Sequence, residues 1–188
     1  MEDQPGMEST DRGPHRVLFL DRDGVINEKA APGEYITSWD EFRFCEGIAR
    51  LLIVAEQHQL KRVVITNQQC VGKGLLERHA LEALHRQMTE ALESAGAGID
   101  RIYYCPHLES ERCECRKPRP GLFFQAVREL GAEVDLGNSL FVGDTESDMM
   151  AGRAAGVRTI FVGDSGGLRD ASAADYVVGS LQEVESLL

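Results

Sequence analysis

The chain has 188 residues, 43% hydrophobic and 27% charged, the balance of one globular domain large enough to bury a core. Its formal net charge of −11 argues against a nucleic-acid partner, since a protein living on nucleic-acid phosphates usually carries a basic face, but leaves a small phosphorylated partner open, because local charges at the site decide that. No apolar run approaches the roughly 18 residues of a membrane helix, and the opening MEDQPGMESTDRGPH lacks the apolar segment of a secretory signal.

Residues 1–15 are expected to be a disordered leader, followed by a single domain over 16–188 in a cytoplasmic, monomeric protein. Val17-Leu18-Phe19-Leu20 is a continuous apolar run that ends in Asp21, the pattern of a buried parallel strand. Ile48, Leu51, Leu52 and Ala55 share one face of a helix. Val63-Val64-Ile65 is a second strand, ending in Thr66-Asn67. Leu81, Leu84, Met88 and Leu92 mark a helix that stops at Gly96. Ile102-Tyr103-Tyr104 runs into Cys105, and a helix over 122–130 closes at Gly131. Leu140-Phe141-Val142 ends in Gly143-Asp144, and a short helix from Asp148 to Ala155 closes at Gly156. Thr159-Ile160-Phe161-Val162 is a further strand, and Tyr176-Val177-Val178 a weaker one at an edge.

Strands alternating with helices imply an α/β fold, a Rossmann-like parallel sheet with helices on both faces. Ligands of such sheets bind beyond the carboxyl ends of the strands. That gathers Asp21, Thr66, Cys105 and Asp144 along one edge.

Asp21-Arg22-Asp23-Gly24 places two carboxylates at the end of the first strand. One carboxylate can attack phosphorus to give an aspartyl-phosphate that water then hydrolyses. The other can protonate the leaving oxygen and later deprotonate the water. Thr66 offers a hydroxyl and Asn67 an amide to a phosphoryl oxygen, and Lys117 a positive charge for the transferring group. Asp144, followed by Asp148, offers the carboxylate a magnesium ion would want. Taken singly, each motif has a plain alternative: a solvated Asp-Gly turn, an ordinary strand end, a surface basic pair at Arg116-Lys117, a helix start at Asp144.

Asp-x-Asp-Gly, Thr-Asn, Lys-Pro and Gly-Asp-x-x-x-Asp, in that order on successive strand ends, resemble the four motifs of the haloacid dehalogenase superfamily over about residues 16 to 180. The resemblance implies a phosphatase with Asp21 as nucleophile and Asp23 as general acid/base. It also implies that Thr66 and Lys117 hold the phosphoryl group. Asp21, the backbone carbonyl of Asp23, and Asp144 would bind Mg2+.

Cys105-Pro106-His107 and Cys113-Glu114-Cys115 supply three thiolates and an imidazole, the ligand set of a closed, structural Zn2+ site. Reduced cysteines beside an exposed histidine are the plain alternative. This cluster, directly before Arg116-Lys117-Pro118, resembles the histidinol-phosphatase and heptose-bisphosphatase branch of the superfamily. The branch implies a capless enzyme with a zinc-binding loop. It implies a sugar bisphosphate as substrate, a heptose 1,7-bisphosphate losing its 7-phosphate, with histidinol phosphate as the alternative. Gly33, Glu34, Tyr35, Asn67, Gln68, Gln69 and Arg116 would contact that substrate. The stretch Gln69-Cys70-Val71-Gly72-Lys73-Gly74 and Thr145 depart from the usual pattern of the branch. From a different class, a catalytically inert, zinc-stabilised interaction module would keep the cysteines without needing the ordered acidic motifs.

Overall fold

A computed structural model describes residues 14–188 except 132, 165, 167 and 169–172, so the expected leader lies outside it over residues 1–13. His15 is already tied to the domain: its N–H donates to the Glu133 carbonyl at 2.8 Å and its carbonyl accepts from Asp135 N–H at 3.0 Å.

The described residues form a six-stranded sheet in the order β3-β2-β1-β4-β5-β6. The strands are β1 (Val17–Leu20), β2 (Lys61–Asn67), β3 (Arg101–Cys105), β4 (Leu140–Gly143), β5 (Arg158–Val162) and β6 (Tyr176–Val178). Every pairing is parallel. The helices are α1 (Ile48–Gln57), α2 (Arg78–Ser94), α3 (Gly121–Leu130), α4 (Glu146–Ala155) and the short α5 (Leu181–Glu185), which the apolar periodicity did not announce. Among the described residues no helix is long and apolar enough to cross a membrane, and no cap domain is inserted between the strands.

Successive strand residues face opposite layers, which is why the strands read as unbroken apolar runs. Leu18 and Leu20 pack with Leu51, Leu52, Leu81, Met88 and Val184, placing α1, α2 and α5 on one face. Val17 and Phe19 pack with Phe123, Ala126, Phe141 and Ala151, placing α3 and α4 on the other. Phe123 meets Phe19 and Phe141 edge-on, each with ring centroids 5.0 Å apart.

The strand order reverses between β1 and β4, where a doubly wound sheet opens a crevice at its carboxyl edge. Leu20 lies opposite Val64 on one side and Val142 on the other, so the residues after β1, β2 and β4 emerge level. The segment from Glu28 to Cys45 leaves this edge and returns to it. Glu28 N–H donates to the Arg43 carbonyl at 2.8 Å and Cys45 N–H to the Ile26 carbonyl at 2.9 Å. Its base is packed by Trp39 stacked on Phe42, centroids 5.0 Å apart, with Phe44 edge-on. Gly33–Ile36 is thereby held out over the crevice.

Candidate active site

Asp21 follows β1 directly, its N–H bonded to the Val142 carbonyl at 2.9 Å. Its Oδ1 accepts from Arg22 N–H at 2.7 Å and pairs with Lys117 Nζ at 2.8 Å. Lys117 is buried and spends its ammonium fully, on Asp21, on Asp148 Oδ1 at 2.6 Å and on the Ile65 carbonyl at 2.9 Å. Three donors with three acceptors leave it no alternative orientation. Burial works against its charge, but Asp148 and Asp21 outweigh that and raise its pKa above the ordinary lysine value.

Asn67 accounts for how a loop residue reaches so far inward. Its Nδ2 donates to the Lys117 carbonyl at 3.2 Å and its Oδ1 accepts Lys117 N–H at 3.0 Å. Asn67 lines the cleft, and both ends of its amide engage that main chain, so it braces the lysine with one Nδ2 hydrogen to spare.

Asp23 is held by a second network. Its Oδ1 accepts from Arg22 Nη2 at 2.8 Å, Arg22 Nε at 3.2 Å and Asn27 Nδ2 at 2.9 Å. Its Oδ2 accepts from Gln68 Nε2 at 2.8 Å, and the same Nε2 lies 3.0 Å from Thr66 Oγ1. Thr66, as acceptor there, keeps its own hydroxyl hydrogen for another partner. Burial raises the Asp23 pKa, but the charge and hydrogen bonds of Arg22, with those of Asn27 and Gln68, bring it below the ordinary carboxylate value. Arg22 Nη1 in turn lies 3.4 Å from His85 Nε2 on α2. Burial, reinforced by Arg22, pushes the His85 pKa down to about 3, so the ring is neutral. Gln68 was expected to touch substrate, yet it is 1% exposed and absent from the cleft wall, with its amide spent on Asp23 and Thr66.

The carboxylate oxygens of Asp21, Asp144 and Asp148 lie within 4.8 Å of one another. Burial, with the charges of Asp148 and Asp23, pushes Asp21 up to about 7 against the opposing effect of Lys117. Burial likewise pushes Asp144 up to about 6, against its ion pair with Lys29 at 2.5 Å. Asp144 Oδ1 is buried with no hydrogen-bond partner among the described residues. Crowded carboxylates, one with an orphaned oxygen, are a hard-oxygen set that fits a magnesium ion. Two glycines permit the crowding. A Cβ on Gly24, whose φ is +96°, would fall 1.7 Å from Asp144 Oδ2, and one on Gly143 would fall 2.4 Å from Asp148 Cβ.

Asp148 itself is turned inward rather than toward solvent. Thr145 caps α4, accepting Asp148 N–H, while its own N–H and hydroxyl donate to Asp148 Oδ2 at 3.1 and 2.5 Å. The capping box that fixes the helix start thus also aims the other oxygen of Asp148 at Lys117.

Asp21, Asp23, Thr66, Lys117 and Asp148 lie on the floor of a cleft of about 1310 Å³, whose walls include Gly33, Glu34, Tyr35, Gln69 and Arg116. Gln69 Nε2 donates to the Tyr35 hydroxyl at 2.7 Å, joining two walls, and Lys73 lies 5.0 Å over the Tyr35 ring. Arg116 Nη1 is buried with no partner among the described residues. Sequence reasoning missed Arg22, Asn27, Lys29 and His85. Arg22 lies inside the first motif and Asn27 shortly after it, whereas His85 carries no local signal beyond its place on the apolar face of α2.

Cys105, His107, Cys113 and Cys115 converge behind the lysine loop. Their sulfurs lie 3.3 to 3.5 Å apart, and His107 Nδ1 is 3.1 Å from Cys115 Sγ and 3.6 Å from Cys105 Sγ. Zinc–sulfur bonds of about 2.3 Å give a tetrahedral edge of roughly 3.8 Å, so the donor set fits zinc. Arg119 ties the loop together by donating to the carbonyls of Arg112 and Cys113.

A family profile described as HAD-hydrolase-like matches residues 114–184. A D-glycero-alpha-D-manno-heptose-1,7-bisphosphate 7-phosphatase of Mycobacterium bovis is 40% identical over 170 residues, covering 86% of this chain and 88% of that protein. A D-glycero-beta-D-manno-heptose-1,7-bisphosphate 7-phosphatase of Helicobacter pylori is 39% identical over 145 residues, covering 77% and 81%. The crystal structure of a D,D-heptose 1,7-bisphosphate phosphatase from B. bronchiseptica with magnesium and phosphate superposes with a TM-score of 0.81 at 30% identity. It covers 92% of this chain and 97% of its own.

Proposed function

The chain belongs to the haloacid dehalogenase-like hydrolases, in the branch of the heptose-1,7-bisphosphate 7-phosphatases, and we propose that it removes the 7-phosphate of such a heptose bisphosphate through an aspartyl-phosphate on Asp21. The observation that carries the reading is Lys117, which reaches from the loop before α3 to bridge Asp21 and Asp148 at the carboxyl edge of the sheet.

Asp21 Oδ1 is anchored by Lys117 and Arg22 N–H, which leaves Oδ2 to attack phosphorus. The bond from phosphorus to the sugar oxygen breaks, and Asp23 gives that oxygen a proton. A phosphate dianion arriving beside Asp23 disfavours its ionised form by like-charge repulsion, so substrate itself helps load the acid. Asp23, ionised after that donation, takes a proton from the water that cleaves the aspartyl-phosphate, and inorganic phosphate leaves. The Thr66 hydroxyl donates to a phosphoryl oxygen, and Lys117 balances the charge beside the transferring group. Asp21, the carbonyl of Asp23 and Asp144 would hold magnesium, which supplies charge neutralisation of the phosphoryl oxygens when bound.

The second phosphate needs its own cation. Arg116 lines the cleft beside the catalytic lysine with a buried, unpartnered Nη1, and a guanidinium suits bidentate phosphate contact. Lys73, 5.0 Å over the Tyr35 ring, adds positive charge beside that wall. Cys105, His107, Cys113 and Cys115 would hold a structural zinc that sets the direction of the Arg116-Lys117 loop. A reducing compartment such as the cytoplasm keeps those thiols available. The proposed working unit is the monomer.

The test compares kcat/KM for heptose 1,7-bisphosphate and histidinol phosphate with magnesium present. Glu34 on the cleft wall would favour the amine of the second compound, Arg116 the extra phosphate of the first. We expect the bisphosphate to win by tenfold or more; a higher value for histidinol phosphate would overturn the assignment.

A further inference from the structure

We infer that His85, which lies on α2 behind the cleft, is a positioning residue that acts through Arg22 to decide which oxygen of Asp23 exchanges the proton. The inference rests on the reading of Asp23 as the acid/base of the proposed phosphatase.

The buried face of α2 consists of Leu81, Leu84, His85, Met88 and Leu92. Packing alone would be served by another aliphatic side chain at position 85. The imidazole instead presents Nε2 to Arg22 Nη1 at 3.4 Å, and the Tyr104 ring stands edge-on to it at 5.6 Å between centroids. A guanidinium has donors and no acceptor, so Nε2 accepts, the ring is neutral and its hydrogen sits on Nδ1.

Arg22 is 1% exposed, the largest fully buried side chain described, and it stands between the two aspartates of the first motif. With Nη1 directed at His85, its other edge falls as a fork on Asp23 Oδ1, Nη2 at 2.8 Å and Nε at 3.2 Å. Asn27 Nδ2 adds a third donor to the same oxygen at 2.9 Å. Oδ2 receives only Gln68 Nε2, at 2.8 Å. Oδ1 is therefore saturated and Oδ2 has the accessible lone pair. Proton transfer requires reach of about 2.6–3.2 Å, and a misplacement near 1 Å can cost about 10²-fold. Without an acceptor at position 85, Nη1 would be buried unpaired and the guanidinium would be free to pivot, leaving Asp23 held only by Asn27 and Gln68 and more loosely oriented.

A positioning role makes a demand that packing does not. An alkoxide leaving group needs a proton as the P–O bond breaks, whereas p-nitrophenolate leaves without one. Unmutated enzyme, D23N, H85L, H85Q and R22K are compared on heptose 1,7-bisphosphate and on p-nitrophenyl phosphate, with magnesium at one pH. D23N calibrates the assay and should lose far more kcat/KM on the sugar ester, because that ratio reports the steps up to the aspartyl-phosphate and not the hydrolysis common to both esters in which Asp23 serves as base. H85L should lose on the order of tenfold or more in kcat/KM on the sugar ester, with a clearly smaller loss on the aryl ester. H85Q, whose Oε1 can accept from Arg22, should recover most of that loss. R22K, which keeps the charge without the fork, should resemble H85L. Equal losses of D23N in kcat/KM on both esters would remove the reading of Asp23 as the acid. A selective D23N combined with equal losses in H85L, with H85Q no better than H85L, or with an R22K that shows no selectivity, would overturn the role of His85.

Discussion

Cys115 and Lys117 are one residue apart in the chain, yet they belong to two differently constructed regions. The carboxylate–lysine centre is assembled from the ends of β1, β2 and β4, the start of α4 and the loop before α3, so its geometry depends on the whole sheet. The cysteine–histidine cluster is local, drawn from Cys105 to Cys115, and stands beside the sheet edge. The first region concentrates like charge and leaves donors and acceptors unspent, as at Asp144 Oδ1 and the Thr66 hydroxyl. The second closes four mutually near ligands around one point, with no position for substrate. The contrast separates the part proposed to react from the part proposed to hold its loop in place.

Substitution at Asp21 breaks the comparison most sharply. Asp21→Asn should lower turnover by at least about 10⁴-fold, because an amide does not attack phosphorus. Stability should not fall with it. The folded pKa of about 7 lies above the ordinary 3.8, so the carboxyl holds its proton more tightly folded than unfolded. Its ionisation therefore opposes folding increasingly as pH rises from about 4 to about 7, and the neutral amide escapes that penalty. In magnesium-free buffer at neutral pH, Tm should hold or rise; a large fall in Tm would mean that the centre is structural. Asp23→Asn should cost about 10²–10⁴-fold in kcat on a sugar phosphate, measured with folding checked by circular dichroism.

How much of this was legible in the chain follows the same division. The strands could be read because a sheet covered on both faces turns Val17–Leu20 and Leu140–Val142 into continuous apolar runs. Asp21, Thr66 and Asp144 were legible as polar residues at strand ends, with Lys117 between them in a recognisable order, although the fold puts that lysine in the loop before α3 rather than at a strand end. The cysteine cluster was legible because its ligands are close in sequence. What sequence did not disclose is partnership. Asn67 and Gln68 looked like groups aimed at substrate, but Asn67 braces a main chain 50 positions away and Gln68 is buried behind Asp23. His85 shares a helical face with Leu81 and Met88, and only the fold brings Arg22, 63 positions away, against it. Asp148 follows the same rule: its capping of α4 is local and predictable, whereas its contact with Lys117 depends on tertiary placement.

The cysteine region makes the opposite prediction to Asp21. Purified, chelator-free protein should contain about one zinc per chain by elemental analysis, and Cys113→Ser with Cys115→Ser should abolish that content. Loss of a structural metal is among the few changes worth more than about 4 kcal/mol. For a chain of this size that corresponds to a fall in Tm of roughly 10 °C. Residual turnover at low temperature should remain well above that of Asp21→Asn, since no reacting group is removed. A zinc-free native protein, or a double variant with unchanged Tm, would show the cluster to be ordinary reduced thiols.

The smallest effect should come from the residue between the two regions. Arg116 follows Cys115 and precedes Lys117, so a metal held by the cluster would set its direction, and its Nη1 is buried and unpartnered among the described residues at the cleft. If it receives the phosphate that is not being cut, Arg116→Ala should remove a charged hydrogen bond worth about 1.5–3 kcal/mol. That is a loss of about tenfold to hundredfold in kcat/KM for the bisphosphate. On p-nitrophenyl phosphate, which has no second phosphate, the loss should stay within about threefold, because Lys117 keeps its own contacts with Asp21, Asp148 and Ile65. The cysteine double variant should show the same bias between substrates, since it frees the direction of Arg116 while those contacts still hold Lys117. Equal losses on both substrates would place Arg116 with the reacting centre, and the division between the two regions would then have to be drawn one residue earlier, at Cys115.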